Sequence, residues 1–165
     1  MNETWHALSV KQPWAALLVS GRKSIEVRTW SVSRRGKVLI HAAKIDDPRP
    51  EGWAALDTPE LKSLAEQRGG ILGVADFVDC VRYDTPEAFA ADGDRHLNAP
   101  GWFRPPRLFG FAFSNARPVP FEPRAGNTFF FAVPGYTLSE APEAPAAPVI
   151  WIDPPEGPRK GFPAT

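Results

Sequence analysis

Three charged residues, Lys23, Glu26 and Arg28, fall within six positions just after Gly21, with Trp14 and Trp30 on either side in sequence. A lysine, a carboxylate and an arginine beside aromatic rings are the parts of a nucleotide pocket. Aromatic planes stack on a base, the carboxylate accepts from a ring N–H or an exocyclic amine, and the cations meet phosphate. Alternation along a strand puts Ser24, Glu26 and Arg28 on one side and Ile25, Val27 and Thr29 on the other. The apolar side reads as core, so the charged side faces out. The same spacing also fits an exposed strand with an ordinary Glu26–Arg28 ion pair, which is worth little at a surface, and two core tryptophans.

The elements that must position these residues are short. Residues 6–10 read as a strand. Pro13 suits the first position of a helix, where its missing N–H costs nothing. Ala15, Ala16, Leu17 and Leu18 propagate that helix, and Gly21 closes it in a left-handed conformation. Strands follow at 24–30 and 37–43. Thr58-Pro59-Glu60 caps a helix running to about 68, and Thr85-Pro86-Glu87 caps a shorter one. Between them lies a β-branched run, 71–81, in which Gly73 marks a bulge or a close backbone approach. Phe-rich strands at 108–114 and 127–133 complete the body. Of the second run's phenylalanines, Phe130 is expected to point away from the core. Five to six short strands with two to three short helices predict a mixed α+β fold, a small and partly open β-barrel.

The body, 1–133, gives way to a tail, 134–165, dense in proline, alanine and glutamate. Such composition supports neither a regular helix nor a central strand. An apolar island at 149–152 is expected to dock on the body as an edge strand.

The chain of 165 residues has 19 basic and 19 acidic side chains, so its net charge is zero. The balance is uneven, however. Between Lys11 and Arg49 stand nine basic residues and three acids, a local charge of +6, leaving −6 elsewhere. One basic face for an anionic partner follows from that asymmetry. No apolar run approaches the roughly eighteen residues of a membrane span. The single cysteine, Cys80, forms no internal disulfide and completes no thiolate-rich metal site, which suits a reducing cytoplasm. His6, His41 and His96 lack metal-ligand spacing, and no phosphate-binding glycine loop is present, so neither metal nor cofactor is expected. Asp76 and Asp79 are expected on opposite faces of their strand, which argues against a paired-carboxylate site. Cys80 beside them is expected to be buried. His41 alternates away from Ile40, towards the cleft or into a hydrogen bond within the barrel. Residues 98–106, with Trp102, read as a loop over the barrel mouth.

The run LSVKQPWAALLVSGRKSIEVRTW, followed by RRGKVLIHAAK, resembles the opening half of an ASCH domain. Two later stretches, GGILGVADFVDC and FGFAFSNARPVPFEPRAGNTFFF, are similar to its later strands, so the resemblance covers about 7–133. It implies a PUA-like barrel with a cleft beside the first helix, in a family associated with binding RNA or DNA; the chain is expected to be a monomer that binds RNA in preference to DNA. The implied cleft is lined by Lys23, Glu26 and Arg28, with Trp14, Trp30, His41 and Lys44 on its walls. The family also contains enzymes. Small bacterial members deacylate modified cytidine with a Gly-x-Lys lysine, a threonine three positions on and a later glutamate. Lys23 matches the lysine, but Glu26 occupies the threonine position and offers no hydroxyl. The later position falls near Asp92, Asp94 and His96. Another relative is similar to a single-strand-specific ribonuclease. In that alternative Lys23 and Glu26 form the catalytic pair, deprotonating a 2′-OH and stabilising the phosphorane.

Overall fold

A computed structural model describes residues 4–138; the island at 149–152 lies outside the described residues. In chain order the elements are β1 (Trp5–Val10), α1 (Trp14–Val19), β2 (Ile25–Arg28), β3 (Gly36–Ala42), α2 (Pro50–Ala54), α3 (Pro59–Ala65), β4 (Gly70–Tyr83), α4 (Pro86–Ala91), α5 (Gly93–His96), a 3-10 turn (Pro100–Trp102), β5 (Leu108–Pro123) and β6 (Phe131–Val133). The strands form one curled sheet, a half-barrel, in the order β2-β5-β4-β3-β1-β6. Among the described strands only β1 and β3 run parallel.

All six residues of α1 are buried. Its Leu17, Leu18 and Val19 share one core cluster with β1, β3, β4 and β5. Burying such side chains contributes roughly 1.5–3 kcal/mol each. The helix lies close to β4, because a Cβ on Gly73 would fall 2.1 Å from Val19 Cγ1. The strand also shifts register between Ile71 and Gly73. Both roles expected of a strand glycine therefore meet at one position. Thr58 and Thr85 cap α3 and α4 by accepting from the backbone N–H of Leu61 and Ala88. Gly21 is left-handed at φ 82°.

Several expectations are corrected. Among the described residues there are five short α-helices and a 3-10 turn, not two to three helices. The additional ones, α2 and α5, have five and four residues, too short to announce themselves by periodicity and dependent on tertiary packing. Strand β5 runs on to Pro123, whereas the last strand shrinks to Phe131–Val133. Phe130 points inward and stacks on Phe77 and Phe111; Phe129 is the exposed one, at 54%. A register shift between Phe77 and Asp79 interrupts the alternation expected to separate the two aspartates. Asp76 and Asp79 both reach cations from the β3 side, Lys37 and Arg35. Cys80 is half-buried at the edge of the core rather than inside it.

Candidate nucleic-acid interface

Gln12 sets the first wall. Its side chain is fully buried; Oε1 accepts from Ala16 N–H at 3.0 Å, and Nε2 donates to the carbonyls of Leu64 and Gln67 at 2.9 and 2.8 Å. One amide thus satisfies an open N–H at the start of α1 and ties that helix to the end of α3. After Gly21 the chain folds back so that Lys23 N–H donates to Leu17 O, and the lysine side chain runs inward beneath Trp14.

Lys23 Nζ donates to His96 O at 2.6 Å, lies 3.6 Å from Glu26 Oε1 and sits 4.5 Å from the Trp14 ring centroid. Burial pushes its amine down to about 8, against the opposing pull of the Glu26 charge. The other Glu26 oxygen is 3.1 Å from Arg28 Nη2, which also donates to Ser9 O at 2.8 Å. One carboxylate is therefore clamped between two cations. The three side chains do converge, but Lys23 is 1% exposed and is absent from the cleft wall. It braces Glu26 from below and offers no amine to phosphate.

Beside Glu26 and Arg28 opens a cleft of about 830 Å³. Its lining has five cationic residues, Lys11, Arg28, Lys44, Arg49 and Arg124, against two carboxylates, Glu26 and Asp47. Lys11 and Lys44 are exposed and make no ion pair among the described residues. Asp47 Oδ2 accepts from Trp14 Nε1 at 2.9 Å, and Oδ1 accepts from Arg49 N–H at 2.9 Å. Burial raises the Asp47 carboxyl, but these hydrogen bonds and the Arg49 charge outweigh it and hold the group below its ordinary value. The Arg49 guanidinium lies 3.5 Å from the ring centroid of Trp102, forming a cation–π stack at the mouth.

His41 fixes the far wall. Nε2 faces Arg124 O at 2.7 Å and Nδ1 faces Ser9 Oγ at 2.9 Å. A carbonyl only accepts, so Nε2 carries the hydrogen and Nδ1 accepts from the serine hydroxyl. Burial holds His41 below its ordinary range, in keeping with this neutral tautomer. Gly126 closes over the pair, since a Cβ there would fall 2.5 Å from His41 Cε1 and 3.1 Å from Ser9 Oγ.

Of the residues expected from sequence, Trp14, Glu26, Arg28, His41 and Lys44 line the cleft. Trp14 gives it little stacking surface, because it is 4% exposed and Lys23 covers a face of the indole. Trp30 lies elsewhere: past the end of β2 it turns into the phenylalanine cluster, edge-on to Phe111, Phe129 and Phe130. His96, near the position where the deacylating relatives place an acid, is fully buried. Its Nε2–H donates to Phe89 O and its Nδ1 accepts from Asn98 N–H, a structural role. Asp47, Arg49, Asn98, Trp102 and Arg124 also line it and were not read as site residues. The loop read over the barrel mouth at 98–106 pointed towards Asn98 and Trp102, and the basic stretch ending at Arg49 pointed towards that residue. Three buried polar atoms of the lining, Arg28 Nε, Asn98 Oδ1 and Trp102 Nε1, have no partner among the described residues. That group contains no cluster of three or more His, Cys, Asp or Glu arranged to hold a metal, and no helix in it is long and apolar enough to cross a membrane.

Comparison with known proteins agrees with this architecture. Human activating signal cointegrator 1 is 35% identical over 82 residues, spanning 45% of this chain and 14% of that protein. The mouse protein is 34% identical over 82 residues, again 14% of its length. This chain therefore matches about a seventh of either relative. The crystal structure of ASCH from Zymomonas mobilis superposes with a TM-score of 0.50 at 16% identity, covering 72% of each chain. A serine-to-alanine variant of that protein gives 0.55 at 14% identity, covering 78% of this chain and 87% of its own; identities so low speak to the fold alone. The ASCH domain model matches residues 8–116, and with that match over more than half its length the chain belongs to the ASCH domain family.

Proposed function

We infer that this chain binds single-stranded RNA by taking one nucleotide into the cleft while the flanking phosphates lie along its cationic rim. ASCH domains are associated with RNA binding. The observation that carries the reading is Glu26, held between Lys23 and Arg28 at the wall of an 830 Å³ cleft rimmed by unpaired lysines. A fixed carboxylate beside a guanidinium presents an acceptor and donors together, the pattern a base edge needs. The Arg49–Trp102 stack supplies a planar surface, because bases stack on guanidinium planes as well as on indoles. Lys11 and Lys44 are free to neutralise phosphate.

The clamp favours binding over hydrolysis. A general base must be free to take a proton, and both Glu26 oxygens already face cations. Lys23, the other half of that catalytic pair, lies under Trp14 and off the cleft wall.

Titration of single-stranded RNA tests the reading. Lys11→Ala with Lys44→Ala should flatten the salt dependence by about 1.4 in log–log slope, two phosphates at roughly 0.7 each. Glu26→Gln should weaken binding with the slope unchanged. Undiminished binding by both the double variant and Glu26→Gln overturns the assignment of this cleft. Cleavage of the RNA, or deacylation of an acylated cytidine, that is lost in Glu26→Gln would replace binding by hydrolysis.

A further inference from the structure

A second hollow, of about 940 Å³, is lined by Arg34, Arg35, Lys37 and His6 together with Trp5 and Tyr136. Among the described residues no carboxylate belongs to its lining. Trp5 and Tyr136 meet edge to face at 6.2 Å, with Trp5 only partly buried. The neighbouring acids are Asp76 and Asp79 on β4, which face Lys37 at 3.0 Å and Arg35 at 4.0 Å, and Glu122 on β5, which lies near Tyr136 and pairs with Arg124 at 2.6 Å. Arg34 makes no ion pair among the described residues; its guanidinium lies 5.7 Å from the Phe130 ring centroid. With Arg117 and Arg124, which also act on Tyr136, five arginines and lysines face three acids, and an aromatic surface adjoins them.

The position of this hollow relative to the first cleft follows from strand register. Ser9 and His41 are partners in the parallel β1–β3 pair and both line the first cleft. Trp5 and Lys37 lie four residues earlier on each strand and line the second hollow. At about 3.3 Å per residue the two sites are roughly 13 Å apart along the strands. The edge strand β6 pairs with β1 between them. Residues 124–128, before β6, line the first cleft, and residues 135–138, after it, line the second. A stacked single strand rises about 3.4 Å per nucleotide, so roughly four nucleotides bridge the gap.

We propose that the second hollow is a phosphate-binding groove for the same RNA strand whose base enters the first cleft, with Arg34 and Lys37 as its backbone contacts and Trp5 as a stacking surface. The proposal rests on the nucleotide reading of the first cleft and adds a direction to it, since the strand passes along the β6 edge.

The full-length chain decides this by titration with a mononucleotide, a single-stranded RNA tetramer and an octamer, each over a range of salt. Lys37 is 64% exposed, so its removal spares the core. In the Arg34→Ala/Lys37→Ala variant the octamer should bind roughly tenfold more weakly, with the salt slope flatter by about 1.4. Mononucleotide binding should not change. Octamer affinity and slope equal to wild type overturn the groove while leaving the first cleft intact. Tighter octamer binding by the variant also overturns it, and assigns the hollow to an acidic segment of the chain itself. Failure of the wild type to bind RNA of any length removes the nucleotide reading, and the groove with it.

Discussion

The amine of Lys23 sits 4.5 Å from the centroid of the Trp14 ring, with 1% of the lysine side chain reaching solvent. A cation in that place is held by Glu26, the indole face and one carbonyl, and otherwise is cut off from water. The folded state therefore binds the lysine proton less tightly than the unfolded chain does.

The first prediction concerns pH. Because Lys23 drops to about 8 from an unfolded value of 10.5, unfolding takes up a proton between those values and stability rises with pH across the window. The cost of the buried charge is fully present below about 8. Lys23→Met removes the group. Urea unfolding at several pH values from neutral to about 9.5 should show wild type gaining on the variant by an amount on the order of 1–3 kcal/mol. Taking the difference cancels the buried tyrosines, which titrate higher. A constant difference would show that the amine is solvated.

Asp47 should behave in the opposite sense. Its carboxylate accepts from Trp14 and Arg49 and is held below its ordinary value, so its contribution is present above the unfolded value near 3.8 and fades as pH falls through the folded one. Asp47→Ala should cost about 1–3 kcal/mol at neutral pH, because it leaves the Trp14 N–H buried and unpaired. Asp47→Asn should be less sensitive to acid than wild type. Thermal unfolding from pH 7 to about 3 compares them.

Trp102 is expected to matter for binding more than for folding. Trp102→Ala removes the ring under Arg49 and should weaken single-stranded RNA binding by roughly 1–3 kcal/mol, the range for one stacked base. Trp102→Phe should restore much of that. Fluorescence titration alongside urea melts separates a binding loss from a folding loss.

At Gly126 the test is steric. Gly126→Ala places a methyl 2.5 Å from the His41 ring, which cannot recede while both nitrogens are engaged. The wall at 124–128 should shift, with about 1–2 kcal/mol of stability lost and RNA affinity reduced severalfold. Gly101→Ala, with open space around it, is the control.

Much of this frame was legible because local chemistry agreed with the fold. Thr58-Pro59 and Thr85-Pro86 start helices, Gly21 ends one, and Gly73 marks where α1 presses on β4. Strand β5 is instructive where the reading stopped short. Prolines at 118, 120 and 123 argue against a strand interior, yet β2 pairs only with Phe109–Ala112. Beyond that point β5 has one neighbour among the described residues, β4, and lies at an edge of the described sheet, where proline is tolerated. The convergence of Lys23, Glu26 and Arg28 was readable from spacing, but the depth of Lys23 was not. It depends on a backbone bond from Lys23 to Leu17, and on His96, 73 residues away, offering its carbonyl. Arg49 and Trp102 meet across 53 positions, a contact that no local pattern encodes.

Strand β6 is three residues long and is preceded and followed by loops that shape separate hollows. Insertions before it remodel one recess, and insertions after it remodel the other, while the pairing of β6 with β1 keeps the spacing between them constant. A barrel built this way lets two surfaces diversify independently on an unchanged chassis.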